Sequence, residues 1–172
     1  MRRMVLGGVA VVAAVCGGAC AQAIRTVETT PGKDTFAVHT MRLEFHDAVF
    51  GGCKLREKPA RITASKGKGN PNNRDVVIWE LQNQCEEPVD VCLVGFLPEK
   101  KFNPLMPDPL EDVDDQNKPQ AKRRCDSVLA GQSGRIRTRV LADAAEDEYE
   151  YNIRLRKGQR WKTVDPMIDI VP

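Results

Sequence analysis

Histidine is nearly missing from this chain: His39 and His46 are the only two, and none follows residue 46. That shortage weighs against a serine nucleophile served by a histidine base. It also leaves most of the chain without the commonest metal ligand. Long apolar runs are scarce as well, since the one candidate, residues 5–15, is too short to span a bilayer. The cysteines lack the paired CxxC-type spacing of zinc sites. No segment sustains the 3.6-residue apolar period of an amphipathic helix. These shortages count against a histidine-dependent hydrolase, a zinc module, a helical bundle and a membrane-spanning protein.

The N-terminus carries a recognisable signal. Arg2 and Arg3 precede the apolar run, and Ala19-Cys20-Ala21 fits a small-residue cleavage site, so residues 1–21 are expected to be an export signal and Gln22 the mature N-terminus. The alternative is a lipoprotein anchored through Cys20, because Gly17-Gly18-Ala19-Cys20 resembles a lipobox, departing from it at Gly17. Removal of residues 1–21 takes two arginines and no acids. The 26 basic and 24 acidic side chains then become 24 of each, and the exported chain is formally neutral. Charge therefore gives no reason to expect nucleic-acid or membrane attraction. Cys16 and Cys20 leave with the signal. Cys53, Cys85, Cys92 and Cys125 remain, an even number that in an exported chain implies two disulfides of open connectivity. A bond between Cys85 and Cys92 is disfavoured if residues 86–88 make a tight hairpin, since the two would sit offset.

What is present is β patterning. Val77, Trp79 and Leu81 alternate with Glu80 and Gln82. Pro88 breaks the run, and residues 89–96 resume it. Residues 22–34 show no period and are expected to be a flexible lead-in, with one domain over 35–172. Between residues 35 and 50 the apolar parity switches from Phe36 and Val38 to Met41, Leu43 and Phe45, which suggests a bulge near Thr40. Residues 61–64 fit a short edge strand. Residues 66–73, KGKGNPNN, lack P-loop spacing and look like a mobile hairpin tip. Residues 98–124 are proline-rich and polar, and hold the acidic run Glu111-Asp112-Val113-Asp114-Asp115. Asn117 and Arg123 stand where a calcium loop needs its glycine and glutamate, so a solvated charge run is expected. Strands are then expected over 134–141, 149–156, 161–164 and 167–171. Short strands at this spacing indicate an all-β fold, a single antiparallel β-sandwich stapled by disulfides.

The motif Trp79-x-Leu81-x-Asn83-x-Cys85 with Pro88-Val89, together with Tyr149-Glu150-Tyr151 and Asp165-Pro166-Met167-Ile168-Asp169-Ile170, resembles small exported bacterial proteins with a cupredoxin-like or immunoglobulin-like sandwich and no assigned activity. The resemblance implies the fold alone, because cupredoxins hold copper with two His, a Cys and often a Met, and that ligand pattern is absent here.

No catalytic, cofactor or metal residues are assigned. The remaining serines, Ser65, Ser127 and Ser133, do not sit in a nucleophile elbow. His39 and His46 fall on opposite faces of a regular strand. The most suggestive feature is the alternation of Arg135, Arg137 and Arg139 with Ile136, Thr138 and Val140. If 134–141 and 149–156 pair as a hairpin, Arg154 and Arg156 join that face, making a basic patch suited to an anionic envelope component or an acidic protein surface. No aromatic residues interleave with the arginines, which disfavours single-stranded nucleic acid. The expected function is an exported, non-catalytic binding or structural protein, periplasmic or secreted. The alternatives are a periplasmic copper-handling protein using His39 and Met41, and a secreted hydrolase with a carboxylate pair.

Overall fold

The computed structural model describes residues 10–13, 23–29, 35–49, 51–57, 59–98, 108–121, 124–157 and 160–172. Among these residues the regular structure is all strand apart from one 3-10 turn at Pro71–Asn73. The first sheet contains β1 (Ala10–Ala13), β2 (Ala23–Thr29), β3 (Thr35–Asp47), β4 (Cys53–Leu55), β6 (Val76–Asn83), β8 (Leu110–Asp112) and β10 (Ser133–Val140). The second contains β5 (Ile62–Ser65), β7 (Val89–Pro98), β9 (Cys125–Val128), β11 (Glu148–Lys157), β12 (Arg160–Val164) and β13 (Met167–Val171), and curves as a half-barrel. Among the described residues no helix is long and apolar enough to cross a membrane.

From β4 to β11 every connection passes from one sheet to the other. This pattern corrects several expectations. The sheets are not purely antiparallel. β3 lies parallel to β6, and β5 parallel to β13, because each pair is separated in sequence by elements that carry the chain away and back. The 84–88 connection is a crossover between sheets, and so is 66–75. Instead of a mobile tip, the latter is a turn wound tightly on itself. The Asn70 side chain caps the 3-10 turn, Gly67 N–H donates to Ser65 Oγ, and a Cβ on Gly67 would lie 2.7 Å from Asn70 O.

The expected lead-in contains β2, paired along its whole length with β3. Its β-branched residues Ile24, Thr26, Val27 and Thr29 favour a strand where the polar alternation is faint. β1 covers the outer edge of β2 and lies within the segment read as an export signal. In a cleaved chain that edge position falls to β2. No bulge occurs near Thr40, since β3 and β6 stay in continuous register from Val38↔Val76 to Phe45↔Asn83. The parity switch has another cause: both faces of β3 are apolar. Met41, Leu43 and Phe45 face the shared core, and Val38 joins Val76 and Ile78 in a small cluster on the other face. Within 98–124, Glu111 and Asp112 of the acidic run lie in β8 on β10, and residues 99–107 and 122–123 lie outside the described residues.

One core lies between the sheets. Trp79 and Leu81 of β6 and Met41 of β3 meet Leu93 of β7 and Tyr151 and Ile153 of β11, all essentially inaccessible to water. Trp79 Nε1 donates to the Tyr151 hydroxyl at 3.1 Å, and that hydroxyl lies 3.7 Å from Met41 Sδ. A buried indole N–H and phenol O–H are thus both satisfied where the sheets touch. Gly95, at φ 69°, lets β7 bulge where its register with β11 shifts. The bulge moves Phe96 onto the inner parity, and its ring stacks on Tyr151 at 4.9 Å.

The cysteines bond as Cys53–Cys85 and Cys92–Cys125. The first spans the end of β3, from β4 to the β6–β7 crossover. The second joins residues directly opposite each other on β7 and β9.

Candidate functional site

The outer face of the first sheet carries the arginine row. Arg135, Arg137 and Arg139 lie opposite Glu80, Ile78 and Val76 of β6, as alternation on β10 requires. Arg154 and Arg156 do not join them, because β10 and β11 belong to different sheets and do not pair. The expected five-arginine patch is therefore divided. Arg156 makes two hydrogen bonds to Asp90 Oδ2 at 2.8 and 2.5 Å, and Arg154 is exposed on the second sheet. Asp90 also accepts from Ser127 Oγ, and this bond, with Arg156 second, holds the Asp90 carboxyl below the usual range.

Arg135 and Arg139 of β10 meet the acidic run, and Arg137 meets the turn that follows it. Glu111 Oε1 accepts from Arg139 Nε and Nη2 at 3.0 and 2.9 Å, and from Arg74 Nη1 at 2.7 Å. Arg137 Nη2 donates to Asn117 Oδ1 at 2.6 Å, and Arg135 Nη2 to Asp115 Oδ1 at 2.6 Å. Asp114 Oδ1 accepts the backbone N–H of Gln116 and Lys118, and Asn117 takes the positive φ of 60° at the centre of that turn. Asp112 is buried and pairs with Arg124 Nε. Glu111, Asp112, Asp114 and Asp115 thus each hold a particular group, and of these Asp115 alone is as solvated as the expected charge run.

Accessibility differs along the row. The Arg139 side chain is 15% exposed, whereas Arg135 is 48% exposed and its partner Asp115 73%. Beside Arg135, Glu80 and Arg42 continue the charge across β6 and β3, with Arg42 Nη2 and Glu80 Oε2 3.7 Å apart. Glu80, Gln82, Ser133, Gly134 and Arg135 line an open groove of about 480 Å³. Gly134 is needed there because a Cβ would lie 2.8 Å from Val128 Cγ2 of β9. Asp126 Oδ2 of the same strand accepts the Arg135 N–H at 3.1 Å.

His39 is placed elsewhere. Its Nε2 lies 2.8 Å from Asp75 Oδ2, both side chains being 7% exposed. Asp75 also accepts from Ala37 N at 2.8 Å and Ser65 N at 2.9 Å, so one carboxylate ties β3 to β5 across the two sheets. Met41 and His39 do share the inner face, but the His39 Nε2 is taken by Asp75 and the Met41 sulfur lies against Tyr151. His46, seven positions on in an unbroken strand, has the opposite parity. No cluster of three His, Cys, Asp or Glu able to hold a metal occurs among the described residues. Sequence reasoning missed Asp75 and Arg124, whose partners come from strands distant in the chain. An acid directly before an apolar strand pattern was the available hint for the first. Arg124, in a polar stretch, left none.

No family model matches the chain, and no curated protein matches it. Among solved structures it is similar to one titled "Crystal structure of Lac15 from a marine microbial metagenome", with a TM-score of 0.32 and 10% identity over 86% of this chain. The match spans 38% of that structure, and a likeness this slight carries no argument about fold or function.

Proposed function

We propose that this is an exported, non-catalytic binding protein of the bacterial cell envelope, a single β-sandwich of the cupredoxin-like or immunoglobulin-like kind that docks an anionic partner on the outer face of its first sheet. Two disulfides support an oxidising compartment, and the n-region, apolar run and Ala-x-Ala site support export. Two sheets sharing one core support the sandwich.

The observation that carries the reading is the half-exposed Arg135, with Arg42 across the sheet and an open groove alongside. Its partner Asp115 sits in water, so the bond between them contributes little and a polymer carboxylate or phosphate exchanges with it at small cost. The partner is an anionic envelope polymer or an acidic protein face. The test is retention on a carboxylate matrix at low salt. The wild-type protein is retained and elutes as salt rises, since screening acts over about 8 Å at physiological ionic strength. Arg42→Glu/Arg135→Glu abolishes retention while circular dichroism stays unchanged. A wild-type protein that flows through at low salt, or a double variant that elutes with it, ends the proposal.

A further inference from the structure

The two disulfides differ in access. Cys53 and Cys85 are 3% and 2% exposed, with sulfurs walled off by the core. Cys92 is 8% exposed, but its partner Cys125 is exposed on β9, an edge strand of the second sheet. Thiol–disulfide exchange requires a thiolate to reach a disulfide sulfur, so access decides which bond reacts. The Cys92–Cys125 bond also closes a 33-residue span. That span carries Glu111, Asp115 and Asn117, the three groups that hold Arg139, Arg135 and Arg137.

We propose that Cys92–Cys125 is a reducible latch, and that its reduction by a dithiol loosens the acid-bearing segment from the arginine row. The attacking thiolate bonds to the sulfur of the exposed residue Cys125 and expels Cys92 as a thiolate, which takes up a proton. The second thiol of the dithiol then attacks the mixed disulfide and frees Cys125. Two electrons pass to the protein, and the dithiol leaves as a disulfide. With the covalent tie gone, the span is closed by the short β7–β9 ladder alone. β8 with the turn after it is held by three residue pairings to β10, by the Val113 N–H to Arg137 O and Leu141 N–H to Pro109 O bonds, by the contacts of Arg124 and by the bonds of Glu111, Asp115 and Asn117 to arginines. A short edge element tied largely through exchangeable side-chain pairs opens at lower free energy than the core strands once its covalent tie is removed. When β8 and the turn after it open, Arg135, Arg137 and Arg139 lose their intramolecular acceptors and become available to an anion. This inference rests on the docking surface proposed above and adds its regulation.

The first measurement is a dithiothreitol titration of the native protein with alkylation and peptide mapping. Cys92 and Cys125 are labelled at a concentration roughly ten-fold lower than Cys53 and Cys85. Simultaneous opening of both bonds, or earlier opening of Cys53–Cys85, overturns the latch. The second measurement runs Cys92→Ser/Cys125→Ser on the carboxylate matrix, where it elutes at higher salt than the wild type. Should that variant fail to fold, wild-type protein reduced only at Cys92–Cys125 takes its place. Unchanged elution, with Arg42→Glu/Arg135→Glu still weakening retention, defeats the latch and leaves the docking surface standing. No retention of any form at low salt defeats both.

Discussion

Asp75 and Arg124 are both buried charges that bridge the two sheets, and they are satisfied in different ways. Asp75 spends its oxygens on two backbone N–H groups and one imidazole nitrogen, each between 2.8 and 2.9 Å away. Arg124 pairs with Asp112 and, at 3.3 Å, with Asp108; its Nη2 donates to Leu110 O at 2.7 Å, and its guanidinium lies 5.4 Å from the centre of the Phe96 ring. Yet the Arg124 Nε and Nη1 make no hydrogen bond of good geometry. The carboxylate serves the backbone, which every variant retains. The guanidinium serves mainly side chains, which can be replaced together with it.

That distinction predicts different responses to mutation. Asp75→Ala leaves the buried His39 and Ala37 amide and the part-buried Ser65 amide without their acceptor, and should lower unfolding free energy by about 3–5 kcal/mol. Urea unfolding followed by Trp fluorescence measures this. No second substitution at His39 should restore it, because the two backbone donors remain. A His39→Phe/Asp75→Ala double variant as stable as wild type would show that the backbone bonds contribute nothing.

Arg124→Met should cost about 2–4 kcal/mol, since it strands Asp112 as an uncompensated buried charge. Here a partner substitution does help. Arg124→Met/Asp112→Leu removes both charges and should recover most of the loss, to within about 1 kcal/mol of wild type. If the double variant is no better than the single one, Leu110 O and Asp108 matter more than the Asp112 pair, and the contrast with Asp75 disappears.

The same contrast bears on how much was legible in the sequence. Alternation on β6, β10 and β11 fixes which residues point inward, because a strand's period depends only on the strand. Trp79, Ile136 and Ile153 were identifiable on that basis. Partners depend on which strands become neighbours, and here the chain changes sheet at every connection from β4 to β11. Arg154 was therefore assigned to a face that it does not share with Arg137. For the same reason the run at 111–115 and the row at 135–139 read as two separate surface features, although they are one another's partners. β8 and β9, of three and four residues, are too short for a period to show. In β3 the alternation was present, but apolar residues on both faces mimicked a bulge.

A smaller effect is expected where the sheets approach each other at Gly134. Gly134→Ala places a methyl group against Val128 and Asp126, and weakens the bond that the Arg135 N–H donates to Asp126. Overpacking of this kind typically costs about 1–3 kcal/mol. The thermal midpoint should fall, and shortening the opposing side chain in Gly134→Ala/Val128→Ala should recover part of the loss. A single variant as stable as wild type would mean that β9 moves aside freely at that point.

The smallest effect is expected at Arg42 and Glu80, a pair as close to the proposed docking groove as any, with side chains 49% and 43% exposed. At 3.7 Å the two charges interact through water, which screens them, and holding both long side chains costs conformational freedom. A double-mutant cycle with Arg42→Ala and Glu80→Ala should therefore give a coupling of about 0–0.5 kcal/mol that shrinks as salt is added. The buried pairs set the scale for this comparison: their couplings should be several times larger and nearly insensitive to salt, because water is excluded from them. If the Arg42–Glu80 coupling rivals that of Arg124–Asp112, the outer face is a rigid electrostatic network that contributes to the fold. A weak coupling leaves both side chains able to turn toward an incoming anion at little cost, as the docking surface requires.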